Sequence, residues 1–164
     1  MEYQIHEFEM EFLNALEKGI SRTYLLCGTY GSGRTHWLKN NLEEFYKKIL
    51  SKLYPDIVYE EIIFHPEKAR TILETINAEI EAMDRNLIYC VDEFSIPSDE
   101  VRQTVSASLT RMNQLITEHT KSMFMFLAIS RDDLSFFKKY LPEAYVLYFN
   151  FDKILGKIAY PEEI

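Results

Sequence analysis

Two stretches of this chain, Leu87 to Val91 and Met123 to Ile129, are apolar without interruption, and each ends abruptly in polar residues, Asp92-Glu93 and Ser130-Arg131. A strand with one wet face alternates apolar and polar side chains. A continuous apolar run belongs to a strand covered on both faces, as in a parallel sheet with helices on either side. Thr23 to Cys27, stopped by Gly28, has the same character. Ile57 to Phe64, between Pro55 and Pro66, is β-branched and aromatic, and Tyr145 to Phe151 predicts a last strand.

Between these runs the period changes. Phe8, Phe12, Leu13 and Leu16 fall on one helical face closed by Gly19, and Leu38, Leu42, Phe45, Ile49 and Leu53 predict a helix after the first strand. Leu73, Ile76, Ile80 and Met83 mark the next, with Pro66 in its first turn. Val101, Val105, Met112, Ile116 and His119 mark another, and a short helix is expected from Asp132 to Tyr140. Five strands interleaved with helices predict an α/β fold: a five-stranded parallel sheet in a three-layer sandwich with right-handed crossovers. The 164 residues suit one domain, with a leading helix over 1–20, a core over 21–151 and a tail over 152–164.

Composition removes several classes of function. At 47% apolar and 27% charged the chain can form a core, so disorder and low complexity are excluded. A formal charge of −8 argues against capture of nucleic acid or anionic membrane by bulk charge, so any phosphate must be held locally. The longest apolar run is far short of the ~20 residues that span a bilayer. The first residues carry neither a basic leader nor an apolar stretch, so a cytoplasmic protein is expected, with Cys27 and Cys90 reduced in the core.

Parallel sheets bind ligands at the carboxyl ends of their strands, where every unusual polar cluster here falls. Gly28-Thr29-Tyr30-Gly31-Ser32-Gly33-Arg34-Thr35 fits the phosphate-cradling pattern G-x-x-x-x-G-K-[ST], with arginine in place of lysine, and holds three of the chain's five glycines. Glycines let successive N–H groups turn inward, the following helix start adds positive potential, and a hydroxyl after the basic residue can ligate Mg²⁺. Asp92 at a strand tip can hold Mg²⁺ and Glu93 can polarise a water; alone, such a pair is as often a solvated turn. The histidines at 6, 36, 65 and 119 have no metal spacing, and no structural zinc is expected. Lys47, Lys48, Lys52, Lys138 and Lys139 read as solvated surface.

Together these residues resemble the P-loop NTPases, in particular the division with an additional strand and a catalytic glutamate that contains the AAA-like ATPases. Cys27 to His36 looks like a Walker A segment, Leu87 to Glu93 like Walker B, and Phe126 to Ser130 like the strand ending in a sensor-1 residue. The resemblance implies the strand order 2-3-4-1-5, which separates Cys27 from Cys90 by an intervening strand. It assigns nucleotide binding to Gly28, Thr29, Tyr30, Gly31, Ser32, Gly33, Arg34, Thr35 and His36, and Mg²⁺ to Thr35 and Asp92. Glu93 and Ser130 become catalytic residues, for water activation and γ-phosphate sensing. Arg131 stands as an arginine finger toward a neighbouring subunit, a phosphate contact in its own, or a surface ion-pair residue.

Two departures count against full activity. Arg34 keeps the charge of the lysine and changes its geometry, and no helical lid is expected after the fifth strand. The expectation is an Mg-ATP-binding AAA-like ATPase with weak or partner-assisted hydrolysis, assembling with a protein partner or with copies of itself. Nucleic acid enters only through a DNA-handling complex, a link that rests on the resemblance alone. The rivals are a catalytically inactive nucleotide-binding assembly module and a small-molecule kinase.

Overall fold

Strands buried on both faces require a crossover helix in each connection, and the chain supplies one each time. The computed structural model describes residues 2–29, 31–149, 151–152, 157–158 and 162–163. In chain order these form α1 (Glu2–Glu17), β1 (Arg22–Cys27), α2 (residues 34–53), β2 (Val58–Ile63), α3 (Ala69–Ala82), β3 (Leu87–Asp92), α4 (Asp99–Glu118), β4 (Met123–Ile129), α5 (Leu134–Tyr140) and β5 (Tyr145–Tyr148). Three two-residue strands follow: β6 (Phe151–Asp152), β7 (Lys157–Ile158) and β8 (Glu162–Glu163).

The sheet runs β2-β3-β4-β1-β5, and every pairing among these five strands is parallel. β8 adds an antiparallel edge beside β5, and β6 pairs with β7 separately. The order places β1 between β4 and β5, with Cys27 in register with both Ile129 and Tyr148. Among the described residues no helix is long and apolar enough to cross a membrane.

Pleating divides each apolar strand between two cores. Phe124, Phe126, Tyr24 and Leu26 join Phe12 of α1 and Trp37, Leu42 and Phe45 of α2 on one face. Met123, Met125, Leu127, Leu25 and Cys27 face Leu73 and Ile76 of α3, Leu109 and Met112 of α4, and Phe137 of α5 on the other. The first core is aromatic: Tyr24 stacks on Phe126 at 4.7 Å and Phe12 meets Phe124 at 4.2 Å between centroids. Cys27 and Cys90 are free, buried and on opposite faces, with β4 between their strands. Burial pushes the Cys90 thiol up to about 12.

Helix boundaries follow local chemistry. Ser98 caps α4 by accepting from the Val101 N–H at 3.3 Å, while Pro66 opens a short 3₁₀ turn, Pro66–Lys68, that leads into α3. A second 3₁₀ turn, Arg131–Asp133, precedes α5.

Two expectations need correction. The single-face stripe over Leu38 to Leu53 fails in its last turns: Leu50 is fully buried, whereas Ile49 is 37% and Leu53 60% exposed. α2 contains two π turns, Leu38–Leu42 and Tyr46–Leu50, whose i→i+5 bonding holds more residues per turn and rotates the apolar phase. The last parallel strand stops at Tyr148 instead of reaching Phe151. Phe149 still donates to the Cys27 carbonyl at 2.8 Å, the last described bond between these strands before β1 turns into the loop at Gly28.

Candidate nucleotide site at the carboxyl edge of the sheet

The glycine-rich loop leaves β1 at Gly28 and re-enters helix at Arg34. Gly31 (φ 80°) and Gly33 (φ 105°) are left-handed, a conformation that a Cβ disfavours, so glycine is required at both turns. A Cβ at Gly28 would meet Ser32 Oγ at 2.3 Å and the Phe149 carbonyl at 3.0 Å, so the loop closes tightly over its own start. Ser32 N–H donates to the Thr29 carbonyl at 3.0 Å, and Trp37 N–H donates to the Gly33 carbonyl at 2.9 Å as the helix begins. Ser32 is 1% exposed, and its Oγ has no hydrogen-bond partner among the described residues. A buried hydroxyl without a partner is costly in a folded chain, and a water or a ligand can complete its bonding. Tyr30 lies outside the described residues.

β3 brings the carboxylate cluster beside this loop. Thr35 Oγ1 donates to Asp92 Oδ2 at 2.9 Å, and the Glu93 N–H donates to Asp92 Oδ1, also at 2.9 Å. Asp92 is buried, while Glu93 is exposed at the sheet edge with φ 53°. The turn has a visible cause. The Asp92 carbonyl still pairs with Phe64 N–H toward β2, whereas Phe94 N–H bonds Ala128 O of β4, so the chain reverses its bonding side across Glu93. Phe94 is buried, stacked on Phe64 at 4.4 Å and edge-on to Phe137 at 4.9 Å, which holds the residue before it in the left-handed conformation.

Arg34 turns to the sheet. Its Nη1 donates to the carbonyl of Ile129, 95 positions away, and the Gly28 N–H donates to the same oxygen at 3.2 Å. Burial pulls the guanidinium below its ordinary value, opposed by Asp92, Cys27 and Glu93. Ser130, half-buried, starts the turn before α5, and Arg131 lies 5.9 Å from the centre of the Tyr148 ring. His36 is exposed, with Nδ1 3.0 Å from Asn40 Nδ2 on its own helix.

The fold therefore gathers the glycine loop, Thr35, Asp92 and Glu93 at one edge, with Ser130 and Arg131 at the end of the adjoining strand. His36 is engaged with its own helix. Sequence reading missed the Ile129 carbonyl, the Tyr148 ring and the Phe149 backbone. A backbone carbonyl carries no residue signature, and only the strand order brings Tyr148 and Phe149 to the loop. The oxygen donors of Thr35 and Asp92 suit a hard cation such as Mg²⁺. Among the described residues no group of three or more His, Cys, Asp or Glu side chains is placed to hold a metal by itself. No protein-family model matches the chain, and no curated protein matches it.

Proposed function

We propose that this protein is a P-loop ATPase of the AAA-like kind that binds Mg-ATP and hydrolyses it weakly or when a partner completes the site. The observation that carries the reading is the hydrogen bond from Thr35 to Asp92. It joins the hydroxyl that follows a glycine-rich loop to the acidic tip of a buried parallel strand, and a random surface pairing has no reason to select those two positions. The orphaned Ser32 hydroxyl and the left-handed glycines support the same reading.

In this mechanism the loop N–H groups and the start of α2 hold the phosphates. Thr35 and Asp92 would hold Mg²⁺, which would supply charge neutralisation for the phosphoryl transfer. Glu93, exposed at the edge, accepts a proton from the attacking water, and Ser130 donates toward the γ-phosphate. The buried free thiols suit a cytoplasmic setting. Participation in a DNA-handling complex follows from the resemblance to AAA-like ATPases.

A second reading, a nucleotide-binding assembly module without turnover, is favoured by one observation: Arg34 is tied to the Ile129 carbonyl and turned into the sheet. Titration calorimetry with Mg-ATP and Mg-GTP, with released phosphate measured on the same sample, separates the two. Binding with slow release supports the ATPase and binding without release supports the module. Absence of binding at millimolar nucleotide refutes both.

A further inference from the structure

Arg34 occupies the position that gives the glycine loop its cation, yet its Nη1 is bonded to a backbone carbonyl of β4. Swinging it toward a ligand would strip that bond from a half-buried guanidinium. Arg131 is under no such constraint. It is exposed, it belongs to none of the ion pairs among the described residues, and its neighbours Asp132 and Asp133 do not pair with it. Its guanidinium rests at 5.9 Å from the centre of the Tyr148 ring, a weak contact that a charged ligand can displace.

The strand register says where that side chain runs. Ile129, Cys27 and Tyr148 are in-register residues of three adjacent strands, with Cys27 in the middle. A side chain rooted two residues beyond Ile129 and ending over Tyr148 crosses the carboxyl end of β1, where Gly28 opens the loop. The Cys27 thiol feels both guanidinia: Arg131 and Arg34 each oppose the upward push of burial on it.

We infer that the cation facing bound phosphates is Arg131 of the same chain, and that Arg34 is a structural clamp joining the loop to β4; this rests on the nucleotide reading above. The forked guanidinium of Arg131 then makes charge-assisted hydrogen bonds to phosphate oxygens in place of its contact with Tyr148. The charge that the motif normally carries on the loop has moved to the neighbouring strand end.

The test uses the full chain, calorimetry with Mg-ATP, ligand-observed NMR with adenosine, and thermal melts. Arg131→Ala is expected to weaken Mg-ATP at least tenfold and adenosine less than twofold without lowering the melting temperature, and Arg131→Lys to recover part of the loss. Arg34→Ala is expected to lower the melting temperature and to cost less Mg-ATP affinity than Arg131→Ala. Lys139→Ala, on α5, controls for the general loss of a surface cation. Wild-type Mg-ATP affinity in Arg131→Ala overturns the inference and leaves the nucleotide reading standing, as does an equal loss of Mg-ATP and adenosine. A wild-type chain that binds no Mg-ATP overturns both.

Discussion

The Thr35 hydroxyl donates to the Asp92 carboxylate at 2.9 Å across 57 positions of sequence, tying the first turn of α2 to the tip of β3. Asp92 Oδ1 is meanwhile held by the Glu93 N–H, so one buried carboxylate organises both the loop side and the strand side of the edge. Thr35→Val keeps the shape and removes the donor. It is expected to cost about 1–3 kcal/mol of stability, since the lost bond leaves a buried acceptor oxygen unpaired. Mg²⁺-dependent nucleotide affinity is expected to fall about tenfold or more on the same reading. Chemical denaturation and calorimetry check the two effects, and a double-mutant cycle with Asp92→Asn measures the coupling directly.

Gly28→Ala places a methyl group 2.3 Å from Ser32 Oγ and 3.0 Å from the Phe149 carbonyl. The serine can turn aside, but the carbonyl belongs to a backbone already bonded to Cys27. A loss of about 1–3 kcal/mol is expected, as for an overpacked core site, together with loss of nucleotide binding. Unchanged stability in denaturant would show that the loop is not closed over its start.

The π turns of α2 make a prediction opposite to that of a uniform α-helix. Leu50→Ala, at a fully buried position, is expected to cost about 2–5 kcal/mol. Leu53→Ser, at a position 60% exposed, is expected to change stability by about 0.5 kcal/mol or less. Equal costs for the two variants would restore the regular helical phase.

Two substitutions separate binding from turnover in the proposed site. Arg34→Lys is expected to keep or strengthen Mg-ATP binding, because an ammonium is compact and rotates freely. Glu93→Gln is expected to bind within about threefold of wild type while losing phosphate release, since removal of a general base costs about 10²–10⁴ in rate. Loss of binding in a folded Glu93→Gln chain would remove the assignment.

Alkaline pH tests the buried acids. Burial raises Cys90 from 9.0 to about 12 and Tyr24 from 10.0 to about 12, and pushes Tyr59 and Tyr89 up as well. For a raised pKa the folded chain holds its proton more tightly than the unfolded one. The stability is therefore fully present below the unfolded values and is lost as pH rises through the folded ones. The melting temperature is expected to be insensitive to these groups up to about pH 9 and to fall steadily from there toward pH 12. A melting temperature that holds constant to pH 11 would contradict the burial of these four groups.

Much of the fold was legible because burial on two faces leaves an unmistakable trace. Leu87 to Val91 and Met123 to Ile129 read as strands covered on both faces and are strands, with the periodic stripes between them read as crossover helices. The order β2-β3-β4-β1-β5 came from resemblance, since periodicity does not say which strands are neighbours. At the edge, the clustering of Gly28, Gly31 and Gly33 announced a tight loop, whereas the conformation of Glu93 depends on Phe94 packing between Phe64 and Phe137.

The amino-acid sequence by itself determined the alternation of strand and helix, the burial of both cysteines and the glycine loop beside a strand-end carboxylate. Each of these is a property of consecutive residues, set by period, by side-chain polarity or by the need for positive φ. Tertiary structure alone decided where Arg34 goes, how far β5 extends and which face of α2 meets the sheet. Those outcomes depend on partners remote in the chain: the Ile129 carbonyl for Arg34, the departure of β1 at Gly28 for β5, and the aromatic face of β1 and β4 for Leu50. A hydrogen bond to a backbone carbonyl has no side-chain signature, so it is settled only when the strands have been placed side by side.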